Sequence, residues 1–531
     1  IIMQLAIMII LASTGNLCYA SANGMADQQA SQKKITGTVT DASGKAMPGV
    51  TVTVKGMTIG VFTDGNGKYE LIVPENAQTL VFSFVGMKPQ EIEIGQQSVI
   101  DVILKEESVG LEEVVVIGYG TSKARDLTAP ISTVKSEDLV KRTTASAMDA
   151  LQGNTAGIQI ISTGEPGASP KVRIRGVGSL NNESPLYVVD GMFFDNIGFL
   201  NPSDIQDMSI LKDASAAAIY GVRAANGVVL ITTKKGKLNA KTTVTYSAYT
   251  GFQMPVNMLK MANGEQYAKM ELDKGFASDS AHVKSSVSKF GGSGLNPSTS
   301  TDWYNEIMRK RAFTQNHSLE LAGGSEKAAY SLGLNYLYQD GIMSSKNSYE
   351  RYNIHGQTDF QAYSWLKVGY NFILTNYTTF SPNNNAFLYA YLSSPLYPVF
   401  DAANTSAFPD HYASSTSIGY ANGAFSNPVA AANYFYSRTK GFQILPNIYA
   451  EINLFRNKIK FRTQLSQKLS SFSKLEYTPA YYVDAYQMST DQISHLKSTQ
   501  NRNTNYVLDN LLTYSDNLKD HHWTILLGQS V

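Results

Sequence analysis

From residue 242 onward the chain is built of segments of about ten residues whose side chains alternate in polarity, and this period of two is the tightest constraint on its fold. In "KAAYSLGLNYLYQDG", Tyr330, Leu332, Leu334, Tyr336 and Tyr338 share one face of an extended strand, while Ser331, Gly333 and Asn335 share the other. "LKVGYNFILTN" repeats the pattern, with Val368, Tyr370, Phe372 and Leu374 against Lys367, Gly369 and Asn371. A soluble sandwich alternates too. Here, however, aromatic residues crowd both strand ends, as in the girdles of proteins that cross a bilayer with strands. About nine such strands are predicted, near 242–251, 314–322, 328–338, 350–360, 366–376, 441–453, 457–470, 504–515 and 522–531. Single-chain barrels close with an even number, so the predicted barrel, ending at Val531, is unfinished.

Composition fits such a wall. Charged residues make up 16%, below the roughly 25% of ordinary soluble domains, and 31 Tyr suit a surface half apolar and half wet. The 44 basic and 43 acidic residues leave a net charge of +1, and no basic block exceeds "TKKGK", which argues against a nucleic-acid partner. No apolar run of about eighteen residues occurs, so any crossing of a membrane is made with strands.

The start, "IIMQLAIMIILASTGNLCYASANG", is apolar from Ile1 to Leu11 except at Gln4, and Cys18-Tyr19-Ala20 offers a small-x-small site. This is a signal-peptide pattern over 1–20. An initiator Met and a basic leading region are missing, so a start clipped by a few residues is expected. A lipoprotein reading of Cys18 is the weaker alternative, because bulky Leu17 precedes it. With no other cysteine, a disulfide is not expected.

Residues 35–105 read as a β-sandwich of about seven short strands, with Ile35, Val39, Val50, Val52 and Val54 alternating against polar neighbours. "DGNGKY" contains Asn66-Gly67, which predicts a type I′ hairpin turn with both central residues at positive φ. Asp64 and Asn66 read as turn residues rather than calcium ligands, since the loop lacks the other acids of an EF-hand.

Residues 121–237 read as a mixed unit. "SAMDALQGNTAGIQI" goes from helix to strand, "SPLYVVDGM" is a short strand ending at Asp190-Gly191, and "PSDIQDMSILKDASAAAIYGVRAANGVVLITTKKGK" alternates short helix and strand. Ser203 and Gln206 have capping-box spacing. Arg173 and Arg175 of "VRIRG" are expected to pair with acids on the barrel wall, because buried charges need partners.

Between these units lies "LEEVVVIGYGTSK". Val114, Val115, Val116 and Ile117 are β-prone, yet they stand between polar "KEES" and "GTSKARD", which read as linkers. A segment so placed either pads the edge of the mixed unit or adds itself to the edge of a partner's sheet.

Motifs of catalysis are missing. No H-E-x-x-H, G-x-S-x-G, Walker A or paired C-x-x-C appears, and Gly176-Val177-Gly178 is followed by "SLN", so it fails the dinucleotide fingerprint. Adjacent His521 and His522 would point to opposite faces of a strand, which does not suit one metal, and a surface turn is expected there. No catalytic residue, metal site or cofactor is assigned.

Three stretches carry a specific family likeness. The sandwich resembles the carboxypeptidase-regulatory-like domain, an accessory module of transthyretin-like fold. "EEVVVIGYGT", "LYVVDGM" and "ILKDASAAAIYGVRAANGVVLITTKKG" resemble the SusC/RagA family of TonB-linked outer-membrane proteins. The resemblance implies a mainly β architecture: signal peptide 1–20, sandwich 35–105, TonB box 111–120, plug domain 121–237, and the N-terminal part of a TonB-dependent β-barrel at 238–531. The family's barrel has about twenty-two strands, so an N-terminal half is expected.

By the same resemblance Glu112, Glu113, Val114, Val115, Val116, Ile117, Gly118 and Tyr119 form the TonB box. TonB, energised through the inner-membrane ExbB–ExbD complex, would pair with it from the periplasm. A SusD-like lipoprotein would close the outer mouth, and the substrate would be an oligosaccharide or a peptide. A siderophore- or vitamin-type receptor, a non-energised porin and an adhesin are the alternatives; an enzyme is not expected. Signalling to an anti-sigma factor is not expected either, because Ser21 to Lys34 is too short for the extra domain it uses. Tyr389, Tyr391 and Tyr397, in a long connection, either stack on substrate or pack the connection itself.

Overall fold

The computed structural model describes residues 32–531 apart from 42–43, 58, 75–76, 85–86, 88, 105–113, 118–119, 124–130, 143, 179–182, 257, 421–424, 456 and 519–520. The expected signal segment lies outside the described residues.

Among the described residues the first unit contains seven strands in two sheets. Lys68–Pro74, Gln32–Asp41 and Val102–Leu104 form one, the latter two strands being parallel. Gly60–Phe62, Thr51–Val54, Thr79–Ser83 and Gln90–Glu93 form the other, antiparallel throughout. Val52, Val54, Leu71 and Val73 turn inward at alternate positions and meet Ile35, Leu80 and Phe82 in one core. Tyr69 crosses that core, its hydroxyl donating to the Ile100 carbonyl at 2.8 Å. Burial, and then the Asp101 carboxylate, push its phenol up to about 12.

The type I′ turn expected at Asn66-Gly67 does not form. Gly67 alone of the pair has positive φ, 73°, and its amide donates to the Asp64 carbonyl at 3.0 Å. The Asp64 carboxylate accepts from the amides of Asn66 and Lys68 at 2.9 and 2.8 Å. An acid that bonds its own turn makes one left-handed residue sufficient.

Val114–Ile117 pairs antiparallel with Gly120–Lys123, Val114 opposite Lys123 and Ile117 opposite Gly120. Among the described residues these two strands belong to no other sheet. Part of the polar "GTSKARD", expected to be linker, is therefore a strand.

The plug sheet runs Ile131–Lys135, Ile205–Leu211, Val228–Thr233, Leu186–Val189, Met192–Phe194, with only Val228–Thr233 and Leu186–Val189 parallel. "LYVV" is apolar at every position because both faces of the sheet are covered. Tyr187 and Val189 enter one core with Val229 and Ile231, while Leu186 and Val188 enter another with Val228 and Leu230. Asp190 and Gly191, at φ 47° and 92°, turn the chain back to Met192. The capping box expected at Ser203 and Gln206 is not there. Pro202–Asp204 is a single 3-10 turn, and Gln206 already lies in a strand, because the core takes Ile205, Met208 and Ile210.

Among the described residues nine strands form the wall: Thr243–Gln253, Ala312–Gly324, Ala328–Asp340, Ser348–Tyr363, Leu366–Ser381, Tyr436–Leu454, Ile459–Thr478, His495–Leu518 and His521–Ser530. Each pairs antiparallel with the next. His521 and His522 lie in the ninth strand, opposite Leu518 and Asn517, not in the expected surface turn.

Cross-strand register sorts the wall into rows of opposite character. One row runs Tyr246, Leu319, Leu334, Ile354, Leu374, Ile444, Leu469. The row one residue along, on the other face, runs Ser247, Ser318, Asn335, Asn353, Thr375, Gln443, Ser470. Leu334 is 44% exposed while Asn335 beside it is 5% exposed. Polar residues are inside and leucines outside, the reverse of a soluble sandwich and the order of a wall that faces lipid. Aromatic pairs mark both ends: Tyr363 stacks on Trp365 at 5.6 Å, and Phe252 meets Phe313 at 5.8 Å.

The connections differ by end. Tight turns at 325–327 and 364–365 alternate with long segments at 254–311 and 382–435. The long ones fold into helices, among them Gly264–Asp273, Ala277–Phe290, Trp303–Ile307, Asn385–Leu392 and Pro428–Asn433. A capping box does open Gly264–Asp273, with Asn263 accepting from the Gln266 amide at 2.8 Å and Gln266 accepting in return. These helices share a core around Trp303, Ile307, Leu396 and Tyr397.

Candidate functional site

The wall's polar face has a partner: the plug. The side-chain amides of Asn447 and Gln464 donate to the Asp190 carbonyl at 3.3 and 3.2 Å, and Asn371 reaches the Asp190 carboxylate at 3.4 Å. That carboxylate also accepts from the Thr233 amide and hydroxyl, at 3.1 and 2.6 Å, so the Asp190-Gly191 turn is tied to plug and wall together. A Cβ on Gly191 would stand 2.9 Å from Gln464 Nε2. Asn353 donates to the Phe199 carbonyl, and the Gly167 amide donates to Gln339 Oε1 at 3.1 Å. Lys234 pairs with Glu320 at 2.9 Å, and buried His355 faces Asp204 at 3.3 Å.

Hydrogen bonds of this kind contribute on the order of 1 kcal/mol each, because water replaces them when they open. Apolar contact is small by comparison, with Ile373 and Leu445 the wall's contribution to the plug core. Plug and wall are thus joined by many individually weak polar ties.

Arg173 and Arg175 do not reach the wall. Arg173 pairs with Glu183 at 2.5 Å and Arg175 with Asp213, all within the plug, so acids nearer in the chain satisfy both guanidiniums.

Of the expected coupling segment, Val114–Ile117 is described as a strand, while Glu112, Glu113, Gly118 and Tyr119 lie outside the described residues. Backbone groups of a strand point alternately to its two sides, so pairing with Gly120–Lys123 uses half of them, and among the described residues no strand pairs with the other edge.

The three tyrosines of the long connection separate. Tyr397 is fully buried against Trp303, with ring centroids 4.9 Å apart, and donates to the Phe425 carbonyl at 2.9 Å. It packs the connection and has no face for a ligand. Tyr389 leans on the same core. Tyr391 is 49% exposed and lines a cleft of about 900 Å³ with Met258, Met261, Tyr267 and Tyr304.

A second cavity, of about 430 Å³, lies between plug and wall and was not anticipated. Arg142 and Asp149 of the plug and Tyr249, Tyr349 and Arg351 of the wall line it. Strand alternation in "SYERYNIHG" already puts Tyr349, Arg351, Asn353 and His355 on the inward face, so the signal was present. Among the described residues no cluster of three or more metal-ligating side chains occurs.

Residues 35–116 match the CarboxypepD_reg-like domain and residues 123–228 the TonB-dependent receptor plug domain. TonB-dependent receptor P3 of Formosa agariphila is 32% identical over 516 residues, covering 94% of this chain and 48% of the relative. TonB-dependent receptor SusC of Bacteroides thetaiotaomicron is 36% identical over 341 residues, 60% of this chain and 31% of the relative. Among solved structures, the RagAB peptide importer in its open-open state superposes with a TM-score of 0.62 at 25% identity, covering 79% of this chain and 48% of that one. The chain spans about half the length, or less, of the curated relatives it matches. These relatives are named as receptors, not enzymes.

Proposed function

Given that the chain belongs to the SusC/RagA family of TonB-dependent receptors, we propose that it takes part in TonB-driven import of oligosaccharides or peptides across the outer membrane. The observation that carries this reading is the plug, tied by polar side chains to the inward face of a lipid-facing wall.

In this reading the long helical connections face the outside, and the tight turns and the segment from Glu112 to Tyr119 face the periplasm. A SusD-like lipoprotein covers the outer mouth. Cargo held beneath it frees the TonB box, TonB adds its strand to the open edge of Val114–Ile117, and force drawn from the inner-membrane proton gradient through ExbB–ExbD breaks the weakest plug ties. The glutamates before the strand would steer the pairing. A porin or an adhesin would need neither plug nor box. A siderophore- or vitamin-type receptor would share both and lack the lid.

Mass spectrometry of the full-length receptor, gently purified from its own outer membrane, separates these readings. A surface lipoprotein together with glycan or peptide masses is expected. A preparation that holds neither overturns the lidded mechanism.

A further inference from the structure

At the plug–wall boundary Lys234 meets Glu320, and the Asp190 carboxylate is satisfied by neutral donors, the Thr233 amide and hydroxyl and the Asn371 amide. Arg351, in the strand Ser348–Tyr363, is 1% exposed and among the largest fully buried side chains of the protein. Its Nη1 donates to the plug carbonyl of Gly198. Its Nε and Nη2 make no hydrogen bond of sound geometry, although the Tyr349 hydroxyl lies close by, and among the described residues no acid pairs with it. These two nitrogens form one edge of the guanidinium, the fork that takes a carboxylate through two parallel bonds. A buried guanidinium with an empty fork is costly, and that cost falls when an anion fills it.

The surroundings define the anion further. Arg351 lines the 430 Å³ cavity, with the hydroxyl-bearing Tyr249 and Tyr349 beside it. The same lining carries Asp149, which faces Arg142, and Glu165, which lies 3.5 Å from the Asn384 amide. Two acids in the rim favour a single negative group at the fork and repel a polyanion. The cavity's wall residues, Tyr249 to Gln253, Thr314 and Gln339, lie near the strand ends that the long connections join, the side by which cargo enters.

We propose that this cavity receives one carboxylate of the cargo on the Nε–Nη2 edge of Arg351, seating the cargo between plug and wall. The inference rests on the import reading above and narrows it to cargo bearing a carboxylate: a peptide C-terminus or a uronate-capped oligosaccharide. Filling the fork draws the ligand against the same side chain that holds Gly198, so cargo and plug are joined at one residue.

The test is titration calorimetry on the full-length receptor with its outer-membrane partner, without TonB. The probes are a hexapeptide as free acid and as C-terminal amide, and an oligosaccharide capped by one uronate and its methyl ester. For one of the two pairs the charged form should bind at least about tenfold tighter, the value of a charge-assisted bidentate contact. The pair that shows this identifies the source. Arg351→Gln should erase the preference, so that the charged and neutral members of the pair bind within about twofold of each other, and Arg351→Lys should retain part of it. A wild-type receptor that favours neither charged probe overturns the proposal, and leaves Arg351 as a tether for Gly198; this arm needs no variant to fold. Energy coupling can fail in cells while this preference stands, and the reverse, so the two readings fall separately.

Discussion

Deleting Glu112 to Tyr119 is expected to abolish uptake of cargo while leaving its binding at the cell surface unchanged. The physical ground is the isolation of the ladder between Val114–Ile117 and Gly120–Lys123, which belongs to no larger sheet among the described residues. A two-stranded hairpin alone is marginal in water, so it opens or accepts a third strand at little cost. Six or seven residues paired to a partner, at a net of about 1 kcal/mol per hydrogen bond, make a grip that holds for one pull and releases. Proline at single positions sharpens the test, because it removes one amide and the amides of Val114 to Ile117 alternate between the hairpin side and the open side. Prolines on the open side should lower uptake roughly tenfold each, by loss of about 1–2 kcal/mol of pairing. Labelled-cargo accumulation in whole cells, measured beside surface binding, reads both quantities. Undiminished uptake after the deletion rules out coupling through this segment.

Leu334→Arg is expected to deplete the folded receptor from the outer membrane. Leu334 sits mid-strand in the outward row between Leu319 and Ile354, 44% exposed, with apolar neighbours continuing to Leu469. A guanidinium near the bilayer midplane costs about 2–4 kcal/mol on a barrel's lipid face. Leu334→Phe changes shape without charge and should be tolerated. The heat-shifted band of folded barrel in purified outer membranes measures the effect. Equal amounts of wild type and Leu334→Arg would mean that this row does not face lipid.

The wall was legible because its constraint is local. An alternation of period two survives any tertiary context in which one face is polar and the other apolar, and all nine predicted strands form. They run longer than expected, as at Ser348–Tyr363, because the polar ends that blur the alternation still pair. Features set by distant contacts were not legible. Ser203 and Gln206 have the spacing of a helix start, but burial of Ile205 and Met208 outweighs a cap contributing about 1 kcal/mol. Nothing local told that Arg173 meets Glu183 or that Tyr397 meets Trp303. Asn66-Gly67 marked a turn correctly and its type wrongly, because Asp64 alters which amides need partners. Arg351 was within reach of the alternation already in use; that its fork meets no acid is a fact of packing alone.

The central claim is that the strand beginning at Val114 is made for another protein. A photocrosslinking side chain placed at Val116 measures this most directly, in cells given or denied a mixture of oligosaccharides and a peptide digest. The account predicts a cross-link to TonB that rises when cargo is supplied and disappears in the proline variants of the open edge. A cross-link found only within the chain, with or without cargo, would contradict it.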